Sequence, residues 1–127
     1  MALPHIPRIL FVVPGVLAGL LVPALTSAPR SIPAGAVGMI SQDFARDSIT
    51  IHIGQRVTMV NDSRVVHIIG PGSGGKIIGT EPHVPVTGFH VMQTNSVYTT
   101  PPWLTPGTYY LTCSVHPDMT LTVIVTP

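Results

Sequence analysis

Alternation of apolar and polar residues predicts a series of short β-strands beyond residue 36. In residues 48–54, Ile49, Ile51 and Ile53 point to one side and the residues between them are polar. This two-residue period is typical of a half-buried strand. Similar β-branched runs predict strands over 56–60, 65–69, 88–93, 96–100, 108–113 and 120–126. Nothing after residue 36 has a helical period, so we expect an all-β fold, either an antiparallel sandwich or a small barrel.

Glycine, proline and asparagine mark the connections between these strands. Gly54-Gln55 predicts a turn, residues 61–63 end the strand before them, and residues 101–107 predict a corner. Residues 70–79, GPGSGGKIIG, predict a flexible loop. They lack the Gly-Lys-Ser/Thr ending and the following helix of a phosphate-binding loop.

The corner before strand 108–113 favours a Greek-key sandwich. Residues 104–109 read LTPGTY and resemble a tyrosine corner, in which the phenol hydroxyl bonds back to nearby backbone. We therefore expect Tyr109 to be structural. A strand of about six residues at ~3.3 Å each separates this corner from Cys113. Trp103 should accordingly serve packing at the end of the fold opposite to Cys113.

Residues 1–36 predict an export signal. Residues 9–25 are apolar and uncharged, Arg8 precedes them, and small residues follow, which is the pattern of a secretory leader. The alternative is an uncleaved membrane anchor. The run is slightly short for a membrane span and is interrupted by Pro14 and Pro23.

Two groups of small residues offer cleavage sites, at 26–28 and at 34–36. Pro29 would hinder cleavage at the first, which favours the second. Residues 37–127 then form the predicted functional domain, and we expect the protein in the periplasm, the cell envelope or the extracellular space. No cysteine near the apolar run could carry a lipid.

The charge and the cysteine content limit the classes of function to be considered for this chain. The chain has 127 residues, a net charge of +1 and only 9% charged residues, without a cationic cluster, so nucleic acid is not an expected partner. Its single cysteine cannot form an intramolecular disulfide. A free thiol in an oxidising compartment is a liability unless something holds it, and a metal is the simplest candidate.

The cysteine lies in the stretch CSVHPDM, in which Cys113, His116 and Met119 follow one another at three-residue steps between two predicted strands. A short loop lets their side chains converge. Zinc binds sulfur and nitrogen but rarely recruits methionine, whereas thiolate, imidazole and thioether together suit copper. This loop supplies one histidine, and a blue-copper centre needs a second.

The other histidines differ in their surroundings. His5 lies in the leader, His52 lies on the polar face of its strand and is expected to be exposed, and His83 and His90 follow the glycine-rich segment. His67 lies in an apolar β-branched segment, six residues after an asparagine.

Residues 49–67, ITIHIGQRVTMVNDSRVVH, and residues 104–125, LTPGTYYLTCSVHPDMTLTVIV, together resemble the cupredoxins of the plastocyanin and amicyanin group. The Cys-x2-His-x2-Met loop, with proline after the histidine, is similar to the short amicyanin version. The resemblance covers residues 37–127, and its motifs are concentrated in the two quoted stretches, whereas residues 70–100 do not align with the family. It implies a Greek-key sandwich that binds one copper ion.

The resemblance also implies the ligands and their roles. Cys113 would be the thiolate ligand, His67 and His116 the equatorial nitrogens, and Met119 the weak axial sulfur. His116 would also be the port through which electrons reach the surface. Ser114 matches the small hydroxyl residue that often follows the cysteine.

One position departs from the family pattern. Many cupredoxins place asparagine or serine after the first histidine, where it braces the ligand loop, but here that residue is Ile68. Bracing must come from elsewhere. His90 and Met92, two apart on a predicted strand, could offer a second, exposed Cu(I) site; the alternative is an edge histidine and a packed methionine.

A copper ion whose ligands are all protein side chains has no open position for substrate, which predicts a one-electron carrier and not an enzyme. Its expected partner is a cytochrome or a copper or heme oxidoreductase, and we expect a monomer that meets a membrane only through an uncleaved leader. The alternative is a cell-envelope protein for copper transport, storage or homeostasis. The chain lacks the His-x-His pairs of multicopper oxidases and the second cysteine of a CuA centre.

Overall fold

The computed structural model describes Gly15 and residues 35–127, so the predicted leader lies almost wholly outside the described residues. Residues 35–127 form two packed β-sheets, and no helix occurs among them. The strands are β1 (Ala36–Met39), β2 (Ser48–His52), β3 (Thr58–Asn61), β4 (His67–Ser73), β5 (Lys76–Ile77), β6 (His90–Met92), β7 (Val97–Thr99), β8 (Gly107–Cys113) and β9 (Thr120–Thr126). The all-β prediction is therefore confirmed.

Both sheets mix parallel and antiparallel pairs. The smaller sheet has the order β1-β3-β7, with β1 parallel to β3. The larger has the order β2-β9-β8-β4-β5, with β6 paired to β4 and with β2 parallel to β9. Within the described part of the chain, no helix has the length and apolar character needed to cross a membrane.

The core lies between the sheets and follows the predicted alternation. Ile49 and Ile51 on β2 are buried, as are the alternate residues of β9, Leu121, Val123 and Val125. The prediction for Ile53 was wrong: β2 ends at His52, and Ile53 lies in a turn with 44% of its surface exposed. Because Ile53 lies beyond the end of the strand, the in-and-out alternation of β2 does not extend to it.

The prediction of a flexible loop over residues 70–79 was wrong for residues 70–77. Strand β4 continues to Ser73, and Gly74 and Gly75 form a two-residue turn into β5. Both glycines have positive φ, 59° and 81°, as a tight hairpin turn requires. Glycine content suggested flexibility, whereas here it serves the tight hairpin. Strand β1 was also not predicted.

The tyrosine corner is confirmed. The Tyr109 hydroxyl donates to the backbone oxygen of Thr105 at 2.9 Å. Trp103 is fully buried, its ring centre lies 5.4 Å from that of Tyr109, and its indole N–H donates to Thr100 Oγ1. These residues fix one end of the sandwich, and Cys113 ends β8 at the other.

Candidate metal centre

Strand pairing brings His67 and Cys113 together from positions 46 residues apart. His67 begins β4 and Cys113 ends β8, and the two strands are antiparallel neighbours with Ile69 opposite Cys113. The start of one strand therefore lies beside the end of the other. His116 follows in the short loop between β8 and β9. Two hydrogen-bonded strands and one tight loop thus place these three side chains at one end of the sandwich.

The potential ligand atoms of His67, Cys113 and His116 all lie within 4.8 Å of one another. Cys113 Sγ is 3.8 Å from His67 Nδ1 and 3.7 Å from His116 Nδ1. A metal bound trigonally, at zinc-like lengths of roughly 2.3 Å to sulfur and about 2.0–2.1 Å to nitrogen, would separate those atoms by about 3.7–3.8 Å. The spacing therefore fits one shared ion.

Met119 closes the loop that holds His116. Its backbone N–H donates to the His116 oxygen at 2.9 Å, and its own oxygen accepts from the Cys113 N–H at 3.0 Å. The Met119 side chain is fully buried. These bonds close the loop, and the Met119 and Cys113 side chains both belong to the buried core.

Burial favours the neutral form of His67. Desolvation lowers the pKa of His67 below its usual 6.5, the nearby His116 lowers it further, and a backbone hydrogen bond with Ile40 acts in the opposite direction. Neutral imidazole is the form that binds metals. The site is therefore set up to offer a nitrogen lone pair at neutral pH.

The ligand loop, residues 114–119 between β8 and β9, is braced by backbone and threonine contacts. Ile68 on β4 has no polar side chain that could brace it. The Ser114 N–H donates to the Ile68 backbone oxygen at 3.0 Å. Thr112, fully buried, donates from its hydroxyl to the Met119 oxygen and accepts from the Gly75 N–H at 2.9 Å. The bracing thus comes from β4, from the β4–β5 turn and from the residue before the cysteine.

A second network holds the chain that leads into His67. Asn61, fully buried, donates from its side-chain amide to the backbone oxygens of Val65 and Met92, each at 2.8 Å. Ser63 Oγ lies 2.6 Å from Asn61 Oδ1 and 3.2 Å from His67 Nε2. Asn61 entered the sequence prediction only through its spacing from His67, and Ser63 was not predicted, because a turn serine carries no local signal of such a contact.

The remaining histidines of the described chain lie apart from this cluster. His52 is exposed, as predicted, and bonds to Thr126. His90 stacks on Tyr98 with ring centres 3.8 Å apart. Met92 is 2% exposed and belongs to the core. The packing alternative for His90 and Met92 is therefore what the structure shows, and it offers no exposed pair for a second Cu(I) ion.

No protein-family model matches this sequence, and the search of curated proteins found no significant match. Solved structures do match. A reduced amicyanin variant is 20% identical over 72% of this chain and 80% of that one, with a TM-score of 0.56. A purple cupredoxin from Nitrosopumilus maritimus is 19% identical over 72% and 98% of the two chains, with a TM-score of 0.56. An oxidised amicyanin variant is 19% identical over 81% and 89%, with a TM-score of 0.57.

These likenesses establish the fold. The chain has the cupredoxin fold expected from its two motif stretches. Within that fold, the cluster of His67, Cys113 and His116 could hold one copper ion and fits a type 1 copper site.

Proposed function

We propose that this protein is an exported type 1 copper protein that carries single electrons, with His67, Cys113, His116 and Met119 as the copper ligands. The observation that carries the proposal is the convergence of one buried thiol and two imidazoles, with Sγ–Nδ1 separations of 3.8 and 3.7 Å. One thiolate, two histidines and a weak methionine are the donor set of blue-copper electron-transfer centres.

The proposed four-ligand site favours electron transfer over other chemistry. His67, Cys113 and Met119 are fully buried, and strand pairing and loop hydrogen bonds hold them. Copper, when bound, supplies a one-electron Cu(II)/Cu(I) couple. A copper ion bound by all four of these side chains would have no open coordination position for a substrate, and we infer that the protein is not an enzyme.

His116 is the best candidate for the electron port. It is half-buried, in contrast to the fully buried His67. Val115 beside it is 48% exposed and adds apolar surface. A redox partner, a cytochrome or a copper or heme oxidoreductase, could approach His116 closely there, while the thiolate stays protected. We infer that the protein acts as a monomer between such partners.

Export through residues 1–36 and a functional domain over 37–127 remain part of this proposal. Ala36 belongs to β1, where it pairs with Thr58, and the Thr58 N–H donates to the Gly35 oxygen. Cleavage after residue 36 would remove these contacts, whereas cleavage after residue 28 would keep β1 whole. N-terminal sequencing of the exported protein distinguishes the two sites from a retained anchor.

The visible and EPR spectra of the Cu(II)-loaded protein test the assignment. We expect an intense band in the blue-copper region and narrow hyperfine splitting. Cys113→Ser should abolish the band, whereas Ser114→Ala, at the exposed neighbouring position, should keep it. Colour that persists in Cys113→Ser would refute the ligand assignment.

The low charge of the chain, 9% charged residues, favours a second candidate function. Electrostatic steering towards a redox partner is weak for such a surface, which suits a cell-envelope protein for copper transport, storage or homeostasis. Fast electron exchange with a cytochrome or a copper oxidase would support the carrier. Net transfer of the copper itself to a metal-free acceptor would support the second function.

A further inference from the structure

We propose that Ser63 is a positioning residue that holds His67 in the tautomer with its hydrogen on Nε2, so that the Nδ1 lone pair faces the Cys113 thiol. The inference rests on the proposed function only in assuming that copper binds between His67 Nδ1 and the Cys113 thiol. The series of hydrogen bonds runs from Asn61 through Ser63 to His67 and exists without any metal.

The series of hydrogen bonds begins at the Asn61 side-chain amide, whose orientation is fixed. Asn61 Nδ2 lies 2.8 Å from each of the backbone oxygens of Val65 and Met92. Both partners can only accept, so the NH2 end of the amide must face them. Oδ1 therefore faces Ser63, where it accepts from the backbone N–H at 3.0 Å.

The Ser63 hydroxyl has one hydrogen, and Asn61 Oδ1 takes it. The distance from Ser63 Oγ to Asn61 Oδ1 is 2.6 Å, against 3.2 Å to the Val65 oxygen. Towards its remaining neighbours the hydroxyl can then only accept. It accepts from the Val65 N–H and from His67 Nε2, both at 3.2 Å. Nε2 must therefore carry the hydrogen.

The consequence appears at the other nitrogen of the ring. A neutral imidazole has one N–H and one lone pair, so a hydrogen on Nε2 leaves Nδ1 free to bind a metal. This Nδ1 is the atom that lies 3.8 Å from Cys113 Sγ. The opposite tautomer would aim an N–H at the metal position and leave Nε2 without a hydrogen to donate to Ser63.

Burial makes the network hard to replace. Asn61 and His67 are fully buried and Ser63 is 9% exposed, so bulk water does not readily take the place of a lost hydroxyl. Loss of the Ser63 hydroxyl should therefore weaken the preference for this tautomer. Removing such an outer partner of a metal-binding histidine typically lowers metal affinity by about 10–100-fold.

The first measurement needs no variant. Nitrogen-15 NMR of the His67 ring in the copper-free full chain, at a pH where the ring is neutral, should show a protonated Nε2 and an unprotonated Nδ1. A protonated Nδ1 would overturn the inference. This result does not depend on copper, so it stands even if the proposed function fails.

The variants Ser63→Ala and Ser63→Thr then separate positioning from packing. Ser63→Ala should give a mixture of tautomers and a Cu(I) affinity about 10–100-fold lower, and Ser63→Thr, which keeps the hydroxyl, should restore both. The control is Ser96→Ala, which removes a surface hydroxyl bonded to the Gln93 oxygen and should change neither. A Ser63→Ala protein with an unchanged tautomer and unchanged affinity would refute the role of Ser63. A wild-type protein with the expected tautomer but no blue-copper spectrum would instead refute the proposed function.

Discussion

Gly75 packs directly against Pro117. A Cβ atom added at Gly75 would lie 2.8 Å from Pro117 Cα, closer than such atoms approach in folded proteins. Gly75 belongs to the β4–β5 turn and Pro117 follows His116 in the ligand loop. The β4–β5 hairpin, which the sequence had predicted to be a flexible loop, therefore packs against the Pro117 side of the candidate copper site.

Replacing Gly75 by alanine should disturb the ligand loop. Alanine at φ 81° is strained, and its methyl would push Pro117 away. We expect about 1–2 kcal/mol of backbone strain and roughly 1–3 kcal/mol more from overpacking, together with a shifted visible spectrum of the copper-loaded protein. The control is Gly74→Ala, which has φ 59° but open space around its Cβ. It should share the strain only, and equal spectra and stabilities for the two variants would contradict this coupling.

Replacing Met119 by leucine should leave copper bound and raise its reduction potential. The swap nearly conserves volume, so stability should fall by less than about 1.5 kcal/mol. It removes the sulfur that we propose as the weak axial ligand, and such a ligand tunes the potential. Protein-film voltammetry measures the shift. Met59→Leu, at a fully buried core position on β3, serves as the control and should leave the potential unchanged. An unaltered potential in Met119→Leu would remove this residue from the ligand set.

Replacing Tyr109 by phenylalanine should reduce stability without changing the copper spectrum. The hydroxyl loses its bond to the Thr105 oxygen, which costs about 0.5–1.5 kcal/mol, while the ring keeps its contact with Trp103. The copper site is unaffected because β8, about 20 Å long, separates the two ends. Urea unfolding measures the loss. Tyr110→Phe, at an exposed position, should be close to neutral, and equal losses in both variants would argue against the corner.

The copper-free protein should become less stable as the pH falls below 6.5. Burial lowers the pKa of His90 below its usual 6.5, so the unfolded chain binds a proton there before the folded chain does, and acid favours unfolding. His90→Phe keeps an aromatic ring against Tyr98 but cannot titrate. Its urea midpoint should change less between pH values above and below 6.5 than that of the wild type. Some dependence should remain, because burial also lowers the pKa of His67. Identical pH profiles would show that His90 contributes nothing.

Local patterns in the sequence predicted the elements that depend on neighbouring residues. Alternation located the central strands, and residues 120–126 coincide with β9. The spacing of Cys113, His116 and Met119 predicted a short loop with converging side chains, and the proline-glycine-tyrosine stretch predicted the corner at Tyr109. Each of these signals is complete within a few residues, so no tertiary information was needed.

Tertiary structure decided everything that depends on contacts between distant segments. The antiparallel pairing of β4 with β8 brings His67 Nδ1 to 3.8 Å from Cys113 Sγ, although the two residues are far apart in sequence. Composition alone could not show whether Gly74 and Gly75 form a loop or a hairpin, because glycine permits both until a partner strand selects one. The link from Ser63 to His67 likewise exists only because Asn61 is buried with its amide facing two fixed carbonyls. The sequence therefore determined which donors are available, and long-range strand pairing determined which of them meet.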